Sequence, residues 1–565
     1  MRMNRVAFKI EDVDQYITDY PVQKARPLDA SIITKGLLES VNVKDSLSLL
    51  VAALNTVMQE EGLAYFTALM YRVKKTSRAE AMETYKTAER TVETVIPEAL
   101  LRELELILSV SKAEERGYSY NEKKKSFTFN ANAFAKHFIK RCHLRSTNDG
   151  RLFIYNLKGV FEELSEVKLG KIIMMIMHEG RSNSWKSAHE VEVVKALQRE
   201  ATNEDEMNVN REFINLKNGM FSLDTYKLYP HSPTYISTIQ IPIDYDPLAG
   251  APNFNTFMED ITLHDAELIG VHQELVGYWL SVETKAEKAV YYHGGGANGK
   301  SVLASVVTEL IGKENVSSVP LSDFSQPFGL ESMIGKSINI AAENELGGKA
   351  MKTENFKAIV SGDTITVNLK YRPAISYTPY CRLLFLVNSL PDSMDVTNGY
   401  FRKLMIVPFN RTFSAAERNV NLKEELLKEL PGILNWALEG LKRLRLNNFQ
   451  FGQSEAINEC QNAYNADQNP VKEFYLEHIR MIGGERTKQA DFHLKYLRWL
   501  DMQGIDDKGT KSLQLFWKHF KIVLENERIP IIKKKVKGAI YYDGLKVEDL
   551  EDVTHPKISG SAIQY

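Results

Sequence analysis

The chain has 565 residues, a formal net charge of -2 and an isoelectric point near 6.7, with 44% hydrophobic and 25% charged residues. That length allows about three or four domains with real cores, and the near-neutral balance excludes a globally basic nucleic-acid coat, so any DNA contact must come from local patches. Three cysteines, Cys142, Cys381 and Cys460, are too few and too scattered for a disulfide framework or a zinc site, which points to a reducing compartment. His137, Cys142 and His143 lack a fourth ligand for a metal. No charged-then-apolar N-terminal signal and no apolar run of about 18 residues is found, so the expected location is cytoplasmic, without a membrane partner.

Residues 1–115 read as a helical N-terminal region of unknown role, with amphipathic spacing from Leu47 and again from Pro97, which suits a first helical turn. Asp12 and Asp14 read as a solvated turn rather than a primase metal site, and Arg72 to Arg78 as a solvated helix end. Residues 116–254 read as an α/β accessory, collar-like domain. Asn130 to Ile139 is a helix, Leu152 to Tyr155 a strand, and Phe213 to Leu223 a hairpin turning at Lys217-Asn218-Gly219. The turn-rich stretch Asp244 to Pro252 marks the next boundary.

From 255 to 450 the chain carries its chemistry. Gly294-Gly295-Gly296-Ala297-Asn298-Gly299-Lys300-Ser301 fits the phosphate-binding pattern G-x-x-x-x-G-K-[ST] at every fixed position, between a β-prone run at Val290 to Tyr292 and helical spacing from Ser301 to Ile311. Backbone N–H groups would cradle phosphates, Lys300 would reach the β/γ-oxygens and Ser301 would ligate Mg²⁺, so ATP and Mg²⁺ are the expected cofactors. Ser337 to Ala342 is a buried-strand candidate ending at Glu343-Asn344-Glu345. Glu343 takes the strand-end, metal-holding position with Glu345 as its partner, and the choice of base stays open between them. Thr364 to Leu369 and Ala374 to Tyr377 flank the tip Lys370-Tyr371-Arg372-Pro373, where cations and a stackable ring suit a single strand. Leu383 to Val387 ends at Asn388, placed to orient a water, and Arg402 precedes the run Met405 to Phe409 as a surface cation or an arginine finger.

These motifs, GGGANGKS, INIAAENE, VSGD with its hairpin, LLFLVNSLP and FRKLMIVPF, occur in an order that resembles the superfamily 3 helicases, more narrowly the phage and plasmid primase-helicase and poxvirus NTPase type. The resemblance covers roughly residues 120 to 550. It implies an AAA+ core forming a ring, a homo-hexamer, with Lys300 and Ser301 as Walker A, Glu343 and Glu345 as Walker B, Asn388 as sensor 1 and Arg402 as a finger in trans. Arg402-Lys403 departs from the paired arginines frequent in that family, and no primase domain is found. The most similar-looking proteins are replication initiators of phages and phage-satellite islands, which implies a bacterial host cytoplasm, origin DNA, a separate primase and host replication proteins as partners.

A helical connector, 451–489, leads to residues 490–550, whose helical runs and basic two-stranded turn fit a winged helix. Its expected DNA contacts are Lys518 and Lys521 on a recognition helix Ser512 to Leu524, and Lys533, Lys534, Lys535 and Lys537 on the wing. Residues 551–565 read as a tail. The resulting expectation is an α/β P-loop ATPase acting as an origin-melting DNA helicase. The alternatives are an ATP-switched origin-binding scaffold without unwinding and a primase-helicase, which the lack of a metal-binding catalytic domain disfavours.

Overall fold

The computed structural model describes residues 46–58, 61–89, 96, 98–121, 123–124, 126–342, 353–391, 398–505, 510–530, 532–548 and 550. These fall into two compact units, one formed by the chain up to Asn210 with His231–Thr238, the other by Arg211–Pro230 with Ile239 onward. Asp12, Asp14 and Pro97 lie outside the described residues. No helix among the described residues is long and apolar enough to cross a membrane.

The first unit opens with helices Ser46–Met58, Glu61–Lys74, Arg78–Glu89 and Glu98–Glu115. Leu50, Leu54, Phe66, Leu69, Tyr85 and Leu104 bury one shared face, which is what the helical spacing of these apolar residues requires. A hairpin follows, β1 (Tyr118–Asn121) against β2 (Ser126–Phe129). Asn130 then caps helix Ala131–Arg141 by accepting from the N–H groups of Asn132 and Ala133. Strands β3 (Leu144–Thr147), β4 (Leu152–Tyr155), β5 (Phe161–Glu163) and β6 (Thr202–Glu204) form a sheet of order β5-β4-β3-β6, covered by helices Glu166–Gly180 and Ser187–Glu200. Cys142 is buried there, its thiol on the Phe138 carbonyl.

The second unit starts with the meander β7 (Phe213–Leu216), β8 (Gly219–Ser222) and β9 (Leu228–Tyr229). Its first turn is Lys217-Asn218, and Gly219 is already in β8, paired with Leu216. A Cβ on Gly219 would lie 2.5 Å from the Tyr229 carbonyl oxygen, so the close approach of β9 requires glycine in the strand rather than at the turn.

Behind it stands the element that positions everything else. Strands β10 (Ala289–His293), β11 (Val316–Ser317) and β12 (Ile338–Ala342) are followed by the hairpin β13 (Ile365–Leu369) and β14 (Arg372–Tyr377), then β15 (Arg382–Val387) and β16 (Leu404–Pro408). The five-stranded sheet has order β11-β12-β15-β10-β16, with every pairing parallel. Such strands, covered on both faces by helices, read as unbroken apolar runs, as in Leu383-Leu384-Phe385-Leu386-Val387. Helices Ala266–Leu280 and Leu430–Leu446 cross tightly beneath. A Cβ on Gly277 would meet the Ala437 carbonyl oxygen at 2.2 Å, and one on Gly440 the Gln273 carbonyl oxygen at 2.1 Å.

Helices Glu455–Gln468 and Pro470–His478 lead into β17 (Ile479–Lys488), helices Gln489–Gln503 and Leu513–Asn526, β18 (Ile532–Val536) and β19 (Ala539–Val547). The antiparallel sheet β17-β19-β18 packs on Phe474, Phe492, Phe516 and Phe520. The chain turns between β18 and β19 at Lys537-Gly538, both with positive φ (46° and 83°), a turn whose twist matches a hairpin. β17 falls within the stretch expected to be a connector, because its exposed residues carry no apolar alternation.

His272, on the helix facing β10, is fully enclosed. Its Nδ1 lies 3.2 Å from the Tyr292 hydroxyl, and burial pushes its pKa down to about 3 from an ordinary 6.5. The native fold therefore keeps this ring neutral while the unfolded chain takes up a proton below about pH 6.5. Its contribution is complete above that pH and declines as the pH falls toward the folded value, by about 2 kcal/mol at pH 5. His272→Gln should correspondingly flatten the decline of the urea midpoint between pH 7 and 5; an unchanged decline would contradict this origin of acid sensitivity.

Candidate nucleotide and DNA sites

The phosphate-loop motif lies at the C-terminal end of β10, between β15 and β16, where an open parallel sheet leaves its ligand crevice. Its glycines have different duties. A Cβ on Gly294 would sit 2.5 Å from the Phe409 carbonyl oxygen, and Gly299 has φ 89° with Ile261 2.6 Å from the same position. Gly295 and Gly296 are exposed, with no protein atom within 4 Å of a Cβ and no positive φ. Nothing in the fold itself demands glycine there, whereas a ligand in close approach to the backbone would. Asn298 is buried and donates to the Gly295 carbonyl, and the Ala297 carbonyl accepts from Phe413 N–H at 2.8 Å.

Lys300 begins helix Lys300–Ile311 and is only 5% exposed. Its ammonium donates to the carbonyls of Gly294 and of Gly295 (3.0 Å) and to Asn388 Oδ1 (3.4 Å). Desolvation holds its pKa below the ordinary lysine value. Ser301, next on the helix, is exposed. Asn388 arrives because Val387 of β15 pairs with His293 of β10, so the following residue emerges beside the loop. His293 itself sits 3.8 Å through Nδ1 from the Cys460 thiol, and burial first, then the Lys300 charge, lowers its pKa against a hydrogen bond with the Asn388 backbone.

The other candidates are placed less closely. Glu343 and Glu345 lie outside the described residues; β12 reaches Ala342, in register with Leu386, two residues before Asn388. Arg402 is exposed and precedes β16 at the opposite end of the sheet, since Leu404 pairs with Ala289 and Pro408 with His293. Those pairs are about 13 Å apart at strand rise, so Arg402 does not reach the phosphate loop of its own chain. Lys288 donates to the Arg402 carbonyl.

In the β13–β14 hairpin the turn is Lys370-Tyr371, with Arg372 and Pro373 in β14; the expected four-residue tip is shortened because Leu369 pairs directly with Arg372. Tyr371 has φ 61° and is fully exposed, and the Lys370 N–H lies 3.4 Å from the Glu331 carboxylate. Glu331 carries no signal in the sequence, since its partner is 39 residues away. In the C-terminal module Lys518 and Lys521 occupy the exposed face of helix Leu513–Asn526, with Lys521 3.5 Å from Glu525. Lys533, Lys534 and Lys535 lie in β18, and only Lys537 is in the turn. Lys534 pairs with Asp543 at 2.7 Å, which also binds Arg486.

Residues 292–403, from the end of β10 through Lys403, match a family of unknown function (DUF5906), and residues 131–263 match a family described as D5 N terminal like. The chain is similar to "Putative helicase 184R" of Invertebrate iridescent virus 6, 20% identical over 372 residues, 56% of this chain and 38% of that protein. It is also similar to "Putative helicase L207/L206" of Acanthamoeba polyphaga mimivirus, 25% identical over 243 residues, 39% of this chain and 24% of that protein. The chain thus spans less than two-fifths of the length of these relatives. Among solved structures, the A form apo structure of the NrS-1 C terminal region overlaps 72% of this chain and 97% of its own, with a TM-score of 0.44 at 12% identity.

The two kinds of glycine can be separated by experiment. Gly294→Ala should lower the thermal midpoint by several degrees, because backbone must move to admit the Cβ. Gly295→Ala should melt within about one degree of the parent, as at a surface position, yet weaken nucleotide binding about tenfold or more by calorimetry, as expected where a ligand approaches backbone. Equal melting losses in both variants would refute the distinction.

Proposed function

We propose that this chain is an ATP-hydrolysing DNA helicase of the superfamily 3, AAA+ type that initiates replication of a mobile element. The observation that carries the reading is the convergence of the Lys300 ammonium and the Asn388 amide beside two glycines open to solvent. The strand order supports it, because β15 inserted between β10 and β12 puts a polar strand-end residue next to the loop. Similarity to viral proteins named as helicases supports it as well.

The loop residues fit a nucleotide. Lys300 already gathers oxygen acceptors where phosphate oxygens would lie, and Ser301 is free to face a metal at a helix N-terminus. Bound ATP with Mg²⁺ would supply the phosphoanhydride and the Lewis acid. Lys300 would exchange backbone carbonyls for phosphate oxygens, Ser301 and Glu343 would hold the metal, Glu343 or Glu345 would serve as the base toward water, and Asn388 would orient that water. Arg402, at the far end of the sheet, serves the nucleotide of a neighbouring subunit, which calls for a ring, most simply a homo-hexamer.

The Lys370-Tyr371-Arg372 hairpin contacts the translocated single strand. A tyrosine held in the left-handed region at an exposed turn costs about 1 kcal/mol, a strain retained where the ring itself is used. The C-terminal order of strand, two helices and a two-stranded turn is read as a winged helix. It binds duplex origin DNA through Lys518 and Lys521 on its second helix and through Lys533, Lys534, Lys535 and Lys537 on the wing. Action in the cytoplasm of a bacterial host, with a separate primase and host replication proteins, belongs to the same reading.

Forked-duplex unwinding and ATPase rates test it together. Lys300→Ala should abolish both, whereas Lys370→Ala with Tyr371→Ala should keep ATPase within about twofold and lose unwinding at least tenfold. A wild type that hydrolyses ATP but unwinds no fork would favour the origin-bound scaffold instead. Tyr371→Gly sharpens the point: it should stabilise the turn by up to about 1 kcal/mol and still lose unwinding. Retained unwinding in that variant would remove the ring from the contact.

A further inference from the structure

The β1–β2 hairpin of the first unit bears an arrangement unrelated to the nucleotide loop. Its register pairs Tyr118 with Phe129 and Tyr120 with Phe127, so one face is an aromatic ladder and the other is Ser119, Asn121, Ser126 and Thr128. Both ring pairs lie 4.9 Å apart, tilted at 50° and 48°. The ladder is graded: Tyr118 is buried, while Tyr120 and Phe127 at the turn end are half-exposed.

Cations gather at that end. Lys123 and Lys124 are exposed in the turn, and the Arg181 guanidinium stands 4.7 Å from the Phe127 ring centre. None of these three cations is paired with a carboxylate among the described residues. Other cations of the same unit are paired: Arg116 and Arg141 share Glu179, Arg145 meets Glu204, Arg151 meets Asp149 and Lys168 meets Glu162. At the turn end of the hairpin, three cations without a carboxylate partner among the described residues thus stand beside ring faces that reach solvent.

We propose that this end of the β1–β2 hairpin binds single-stranded nucleic acid, with bases stacked at Tyr120 and Phe127 and phosphates met by Lys123, Lys124 and Arg181. Stacking requires unpaired bases, which sets a single strand above a duplex, and aromatic platforms beside backbone-tracking cations are the general solution for such strands. Two half-covered rings offer too little apolar area to dock a folded protein, whereas three cations complement a phosphate chain. The site stands apart from the nucleotide-site reading and survives or falls without it.

The test uses the full chain without nucleotide, carrying Lys370→Ala and Tyr371→Ala to silence the other hairpin, with a fluorescein-labelled oligothymidylate of about 20 nucleotides. Lys123→Glu with Lys124→Glu should weaken binding about tenfold at low salt and reduce the log–log salt slope by roughly 1.4, the share of two phosphate contacts on a single strand. Tyr120→Leu with Phe127→Leu should weaken it about five- to tenfold and leave the slope unchanged. Photocrosslinking with 5-iodo-deoxyuridine should yield an adduct on the peptide containing Tyr120 or Phe127. Binding within twofold of the parent for both variants, or crosslinks confined to other peptides, would overturn the proposal. An equal loss on a duplex of the same length would also overturn it, by reducing the site to a phosphate contact. Should the aromatic variant lose its fold by near-ultraviolet dichroism, the lysine pair, in an exposed turn, and the crosslink decide alone.

Discussion

A nearly buried ammonium sets the terms at the loop end of the parallel sheet. Taking Lys300 out of water is unfavourable enough to depress its pKa, and the fold offsets that cost with the carbonyls of Gly294 and Gly295 and the amide oxygen of Asn388. Each partner has its own structural condition. Gly294 can bend close only because it has no Cβ to meet the Phe409 carbonyl, and Asn388 arrives only because β15 runs parallel to β10 in one register. A one-residue slip of β15 would carry Asn388 to the other face of the sheet. The register is fixed by apolar residues buried on both faces, so the polar end of the sheet is held in place by its dry middle.

Much of this was legible in the sequence, for identifiable reasons. The strand–loop–helix setting of residues 294–301 was legible because its spacing is itself the geometry, and β10, β12, β15 and β16 because doubly covered strands must be apolar throughout. Misplaced details arose where a contact distant in sequence decides a local conformation. Gly219 looked like a turn residue, yet its strand position answers to Tyr229; the β13–β14 tip shrank to two residues because of cross-strand pairing; and β17 has hardly any apolar alternation, since β19 rather than a core holds it. The passage of Arg211–Pro230 into the second unit, with His231–Thr238 in the first, has no composition signal either.

Two other candidates, the β13–β14 hairpin and Arg402, gather toward the N-terminal edge of the sheet. β13 and β14 are inserted between β12 and β15, and the base of that hairpin returns to the sheet where Arg382 N–H bonds to the Ser337 carbonyl, at the N-terminal edge of the strands. Arg402 lies at this same edge. One side chain links the two. Lys403, 5% exposed, donates to Ser361 Oγ at the close of helix Thr353–Ser361, just before the hairpin, and pairs with Glu287 at 2.8 Å ahead of β10.

Lys403 is also the position where the sequence departs from paired arginines, and the difference is physical. A guanidinium would present a planar fork suited to one carboxylate, whereas an ammonium on a flexible stem can divide its donors between a hydroxyl and a carboxylate lying in different directions. Because Lys403 is buried, releasing either partner would leave a charge or a polar group without compensation, so the turn bearing Arg402 and the segment entering the hairpin are held as one piece. Arg402 and the β13–β14 hairpin, which the proposed function assigns to a neighbouring subunit and to a nucleic-acid strand, therefore share one mechanical base, distinct from the loop end where Lys300 resides.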